Sequence, residues 1–294
     1  MPDFGSFRGF GEKLTQGQTP TQLGLIGSVS LPNYVLDFYP SSQVAYSLRK
    51  LRSLYNGNAI KVRRSSDNTE QDIGFTFFGD LDTSSLLSFC GAGDGFVTTW
   101  YDQSGNANNA TQSTAGNQPQ IVSSGSVILE NAKPTISFLS GLSGFDFATF
   151  SPTTVEGFLV VKAKADPPSA TNSGFISIGS DTFNSHFPFI DGNIYDAFGT
   201  DNRKNVGNPT TPLNQLNLYN VLSASGEWTA RLNTTQIFTT SSNVVAINAN
   251  PKIAAKNINF GMSNFISEFI IYPSNQSANR SGIESNINLY YAIY

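Results

Sequence analysis

The feature that most constrains the fold is a series of short β-branched and aromatic runs separated by Gly, Asn, Ser and Pro clusters. Gly95–Trp100, Thr135–Phe138, Gly157–Lys162 and Gly174–Ile178 are the first four. Asn193–Asp196, Trp228–Leu232, Thr235–Phe238 and Phe265–Tyr272 continue the series. Runs of four to eight residues of this kind fit pleated, half-buried strands, and their close spacing leaves little room for crossover helices. Asn233-Thr234 sits between two of them and predicts a hairpin. The expected fold is all-β: an antiparallel β-sandwich of the jelly-roll or lectin-like kind, with a few short helices.

Three helices are predicted. Val44, Leu48, Leu51 and Tyr55 fall at i, i+4, i+7 and i+11, with Ser41 or Ser42 to cap the start and Gly57 to close it, so a helix is expected near residues 41–55. Its other face would carry Arg49, Lys50 and Arg52 in solvent, near a C-terminus whose dipole favours cations. Asp82 is the expected N-cap of a short second helix through Leu86, Leu87 and Phe89, with Cys90 on its buried side. A last helix from about Asn279 to Tyr291 would align Ile283, Ile287 and Tyr290 on one face.

Residues 1–33 differ from the rest. Phe4, Phe7 and Phe10 alternate with glycines, and the stretch through Leu23 has neither a strand nor a helix period. Such a segment reads either as an extended arm that anchors in a neighbouring protein through Phe4, Phe7, Phe10 and Leu23, or as a terminal strand with a frayed end. Residues 34–294 read as one sandwich domain.

Composition narrows the function. The chain of 294 residues has 17 Lys+Arg against 21 Asp+Glu, a net charge of −4 with no basic run, so it lacks the footprint of a nucleic-acid binder. Charged residues make up 13% of the chain, about half the usual share, but 23 Phe, 11 Tyr and 2 Trp supply a core. No apolar stretch is long enough for a membrane helix, and the first thirty residues lack the basic start and apolar middle of a signal peptide. With one cysteine, Cys90, and one histidine, His186, neither an internal disulfide nor a Cys/His metal cluster can form. A single Ca²⁺ on Asp191, Asp196 or Asp201 is the one metal option left open; no other cofactor is expected.

Two segments carry a family signal. Ala45–Leu51 leads into Tyr55-Asn56-Gly57-Asn58-Ala59-Ile60-Lys61-Val62-Arg63-Arg64-Ser65-Ser66-Asp67, and Trp100-Tyr101-Asp102-Gln103-Ser104-Gly105 continues to Gln112. In this order they resemble the N-terminal half of the catalytic domain of α-L-arabinofuranosidase B, the family-54 glycoside hydrolases. The closing segment from Gly261 resembles the end of the same concanavalin A-like, laminin-G-like fold. Independently of that likeness, Asp102 and Ser104 can bond backbone N–H groups two residues on and Gly105 can take a positive φ, so the motif reads as a pinned turn or as a ligand contact through Asp102. Arg63 or Arg64 paired with Asp67 or Asp72 would brace the neighbouring strands.

Retaining glycosidases of this kind use two carboxylates about 5–5.5 Å apart. The resemblance implies a Glu nucleophile before a Tyr-Phe-Gly-like strand end and an Asp acid after paired glycines. In the matching segments, Ile194 or Tyr195 stands where the Glu should fall and Met262 where the acid should fall, with Asp191 and Asp196 within a few residues of the first. The vicinal cysteines of the family are missing as well. From this substitution the expectation is that the chain is not an enzyme. It becomes instead a bacteriophage virion structural protein, a tail-fibre, baseplate or capsid-decoration component that resembles laminin-G-like phage modules. Such a protein would be assembled in the host cytoplasm, held to other virion proteins by its arm, homo-oligomeric by particle symmetry, and turned outward toward host glycans. The alternatives are a free carbohydrate-binding module and a divergent arabinofuranosidase-like hydrolase. The candidate ligand-binding residues are Asp102, Asp191, Asn193, Tyr195 and Asp196, because amides, carboxylates and aromatics suit a sugar's hydroxyl rim and apolar face. Trp100 and Trp228 are expected in the core.

Overall fold

The computed structural model describes residues 33–139, 143–169, 174–180, 184–253 and 263–294. Residues 1–32, with Phe4, Phe7, Phe10 and Leu23 of the expected arm, lie outside the described residues, as does Met262. Among the described residues no helix is long and apolar enough to cross a membrane.

The domain is an antiparallel β-sandwich. Its main hydrogen-bonded path runs from Ser177–Gly179 at one end, through Gly95–Trp100 and Asn264–Tyr272, to Asn217–Ala224, Glu227–Leu232 and Thr235–Thr240 at the other. The two ends meet across the core. Phe175, beside the first strand, packs against Tyr219 near the last, with ring centroids 6.0 Å apart, so the path folds over on itself into two facing layers. Trp100 and Trp228 are both fully buried between the layers, as expected. Trp100 lies among Tyr46 and Phe145, and Trp228 beside Phe238. Burying each such ring stabilises the fold by about 2–3 kcal/mol.

The central strand Thr154–Ala163 shows how the layers are built. Val155, Leu159 and Val161 point into the sandwich, whereas Phe158 and Val160 point outward into a second cluster with Ile283, Ile287 and Tyr291 of the C-terminal helix Arg280–Tyr291. A strand covered on both faces reads as a continuous apolar run, which is why Gly157–Lys162 is so apolar. The helix is the one expected from the Ile283/Ile287 spacing. Its first turn is tied down by Arg280, whose Nε donates to buried Glu156 at 2.7 Å. The helix Thr83–Cys90 also forms where expected, with Asp82 Oδ1 accepting from Ser85 N–H at 3.0 Å. Cys90 is buried, and burial pushes its thiol upward. In the hairpin at Asn233-Thr234 both turn residues have positive φ, 49° and 69°, the geometry that matches the strands' right-handed twist.

The expected helix near 41–55 is not there. Val44–Ser47 is a strand, paired antiparallel with Glu268–Ile271, and residues 50–58 form loop and turns. The helical spacing of Val44, Leu48 and Leu51 is overridden because the edge of Asn264–Tyr272 offers a ladder. Alternation along the new strand sends Val44 and Tyr46 to the inner core and Ala45 to the outer one. Arg49 accordingly lies buried, not in solvent. It forms a two-pronged pair with Glu268, Nε to Oε2 at 2.7 Å and Nη2 to Oε1 at 2.9 Å, and its guanidinium lies 4.9 Å from the Tyr290 ring centre. The bracing pair in the next hairpin is Arg64 with Asp67, at 2.8 and 2.6 Å.

Candidate functional site

The segment Asn184–Gly207 folds back from the sandwich as a small hairpin, Ile194–Asp196 paired with Lys204–Gly207. Its entry is a tight turn in which Gly192 N–H donates to Phe189 C=O at 2.9 Å, with Gly192 at φ 81°, a conformation that favours glycine. Asp191 occupies this turn. Its Oδ1 accepts from Asn193 N–H at 2.9 Å; its Oδ2 accepts from Asn193 Nδ2 at 3.0 Å and from the Tyr195 hydroxyl at 2.9 Å. Partial burial acts to raise this carboxyl, but the hydrogen bonds from Asn193 and Tyr195 outweigh it and hold it below the usual carboxylate value. Asp191 is therefore ionised at neutral pH, with an exposed face.

Around it stands a ring cluster. His186 and Phe189 lie 4.6 Å apart, Phe189 and Tyr195 6.0 Å, and the Arg203 guanidinium lies 4.8 Å from the Tyr195 ring centre. His186 is held by backbone exchange with Tyr195, 2.7 and 3.1 Å, and Arg203 is fixed through Nη1 to Asn184 C=O at 2.8 Å. Neither His186 nor Arg203 stands among the candidate residues drawn from the sequence. They reach the site because Tyr195 pairs with both flanking segments, a tertiary match with no local sequence signal.

The structure brings together three of the five candidate residues, Asp191, Asn193 and Tyr195. Strand alternation separates the fourth: Tyr195 faces the ring cluster, while Asp196 points inward and is fully buried. Asp196 Oδ1 accepts from Ser185 Oγ at 3.1 Å and Phe198 N–H at 3.0 Å, and Oδ2 from the Tyr219 hydroxyl at 3.1 Å. Desolvation dominates these bonds and pushes its carboxyl up to about 7. Asp196 thus ties the hairpin to the core and does not face a ligand.

Asp102 is likewise spent on the fold. Its Oδ1 accepts from Ala45 N–H at 2.8 Å and Ser104 N–H at 2.9 Å; its Oδ2 accepts from Ser104 Oγ at 2.6 Å and Asn108 N–H at 3.1 Å. With four bonds and 4% exposure it has nothing to offer a ligand, so of its two readings the pinned turn is the one adopted. Asp201 is exposed at the tip of the hairpin's far loop, at the opposite end from Asp191. Among the described residues no group of three or more His, Cys, Asp or Glu side chains could hold a metal ion, so the calcium option finds no assembled donor set there.

What the hairpin offers chemically is an ionised carboxylate flanked by an amide, a phenol and aromatic edges, a combination suited to a sugar ring. The family model for the catalytic domain of α-L-arabinofuranosidase B matches residues 39–211, more than half of the chain and inclusive of this hairpin. α-L-Arabinofuranosidase B of Emericella nidulans is 40% identical over 76 residues, which are 25% of this chain and 15% of that protein. Among solved structures, an arabinofuranosidase complexed with arabinofuranosyl-α-1,2-xylobiose superposes with a TM-score of 0.60 at 18% identity. A mutant of a family-54 α-L-arabinofuranosidase soaked with 4-nitrophenyl α-L-arabinofuranoside superposes with a TM-score of 0.62 at 17% identity. Each superposition covers 84% of this chain and 62% of the other, so the chain spans less than two thirds of those enzymes, and at such identities the likeness shows the fold. The expectation of a non-enzymatic virion structural protein is corrected by these findings, because the matched family is that of a catalytic domain. This chain belongs to the α-L-arabinofuranosidase B catalytic-domain family.

Proposed function

We propose that the domain is a glycoside hydrolase that removes terminal α-L-arabinofuranosyl groups. The observation that carries this reading is the match of residues 39–211 to the catalytic-domain family. Supporting it, Asp191 lies three residues before Ile194, within reach of the segment in which the family resemblance places a nucleophile. Its low proton affinity suits a carboxylate that must be ionised to meet an oxocarbenium-like transition state. In this reading Asn193 and the Tyr195 hydroxyl hold Asp191 in one orientation, and the Phe189 and Tyr195 rings wall the sugar.

The test is release of 4-nitrophenol from 4-nitrophenyl α-L-arabinofuranoside by the full chain. Activity above buffer is expected, with Asp191→Asn lowering kcat/KM by about 100-fold or more while the urea midpoint stays unchanged. Because Asp191 is held low, the acid limb of kcat/KM attributable to it should fall below the ordinary carboxylate range. Wild-type protein that releases no 4-nitrophenol would end the hydrolase reading; an unimpaired Asp191→Asn enzyme would remove Asp191 from it.

A further inference from the structure

Away from the Asp191 hairpin, a cleft of about 570 Å³ opens between the turn that follows Asp102 and the segment Asp146–Ala148. Its walls are locked. Asn108 Nδ2 donates to Ala148 C=O at 2.9 Å while Ala148 N–H donates to Asn108 Oδ1 at 2.8 Å, a two-way bridge between segments 40 residues apart. On the other side Asn106 Nδ2 donates to the carbonyls of Ser42 and Gln43, at 3.1 and 2.9 Å. Between the two asparagines, Ala107 is held at φ 56°, a left-handed conformation that a non-glycine residue adopts only when its surroundings impose it.

Once these bonds are made, polar groups of both kinds remain on the lining. Among the described residues, Asn109 uses Oδ1 to accept from Asp102 N–H and leaves its Nδ2, Asn106 keeps its Oδ1, and the Gln43 side-chain amide and the Thr111 hydroxyl make no hydrogen bond. The cleft has no net charge to offer, since its one carboxylate, Asp146, is paired with Lys252. Phe147, packed edge-on against Tyr46 and 6% exposed, supplies an apolar floor. Uncharged donors and acceptors on fixed walls over an apolar floor select against ions and for a neutral ligand rich in hydroxyls.

We propose that this cleft is a second carbohydrate-binding site, which holds a neutral polysaccharide chain bearing arabinofuranosyl branches; the identity of the branches rests on the proposed function, the cleft's own chemistry calling for a neutral sugar chain. Affinity electrophoresis of the full chain in native gels containing soluble arabinoxylan tests it, alongside Gln43→Ala/Thr111→Ala and Asp191→Asn. Among the described residues neither Gln43 nor Thr111 supplies a side-chain hydrogen bond to the fold, so the double variant should fold normally. Wild-type and Asp191→Asn proteins are expected to be retarded alike, and the double variant to bind at least tenfold more weakly while releasing 4-nitrophenol at the wild-type rate. Wild-type protein that migrates as in polymer-free gel overturns the proposal. So does a double variant retarded like wild type, or retardation lost in Asp191→Asn alone. Retardation without 4-nitrophenol release would defeat the hydrolase reading and leave the cleft standing; release without retardation would do the reverse.

Discussion

Asp102 and Asp191 look alike in sequence, each at the head of a short glycine-containing turn, Asp102-Gln103-Ser104-Gly105 and Asp191-Gly192-Asn193, yet they serve opposite ends. Asp102 accepts hydrogen bonds across 57 residues, from Ala45, as well as from its own turn. The next residue, Gln103, reaches the same strand end: its Oε1 accepts from Leu51 N–H at 2.8 Å and its Nε2 donates to Arg49 C=O at 2.9 Å. Among the described residues Asp191 bonds only to partners two and four residues away, and it keeps an exposed face. A carboxylate that closes long-range contacts is consumed by the fold, and one satisfied locally remains available to a ligand. Burial and the sequence distance of the partners, not residue type, separate the two roles.

The comparison can be broken by mutation. The largest effect is expected where the long-range corner meets a buried charge: Arg49→Met leaves Glu268 uncompensated and should cost about 3–5 kcal/mol in urea unfolding. Adding Glu268→Leu to it should restore most of that loss, since a buried pair contributes less than the cost of breaking it. Asp102→Ala, which strands the N–H groups of Ala45, Ser104 and Asn108, should lower stability by about 3 kcal/mol. Asp191→Asn should instead change it by less than about 0.5 kcal/mol; a larger loss would erase the distinction between the two carboxylates.

Acidity sharpens the same contrast. The Asp196 carboxyl titrates near 7 in the folded state and near 4 when unfolded, so the folded protein holds its proton more tightly. Its contribution is complete below about pH 4 and is lost as pH rises through about 7, with a slope of about 1.4 kcal/mol per pH unit between. Glu284, whose carboxyl burial likewise raises to about 7, acts in the same direction. Unfolding followed from pH 4 to 8 should show stability declining across this window, and Asp196→Asn should flatten part of the decline; an unchanged slope would refute the assignment. The smallest effect is a gain. Thr234 is a β-branched residue at φ 69°, and Thr234→Gly should raise stability by about 1 kcal/mol, seen as a higher melting temperature.

Several elements could be read directly because their signals are local. Asp82 caps the helix Thr83–Cys90, Ile283 and Ile287 mark the face of the last helix, and Gly95–Trp100 forms a strand with the bounds expected of it. The segment around Val44 could not be read so. Its apolar spacing suits a helix, and only the free edge of Asn264–Tyr272 and the buried Glu268 make a strand the better partner for it and for Arg49. The site divides the same way. Asp191, Asn193 and Tyr195 stand close in the chain and could be grouped from it, whereas His186 and Arg203 join them only through the pairing of the hairpin.

By itself the sequence determined the antiparallel sandwich, the two capped or amphipathic helices and the family signal around Asp102, because strand runs, caps and turn residues act over a few positions. Tertiary structure alone decided which carboxylates are used up and which stay open. Whether a carboxylate meets solvent depends on whether distant segments reach it, as Ala45 reaches Asp102, and on which face of a strand the core covers, as for Asp196; neither is a property of the local chain.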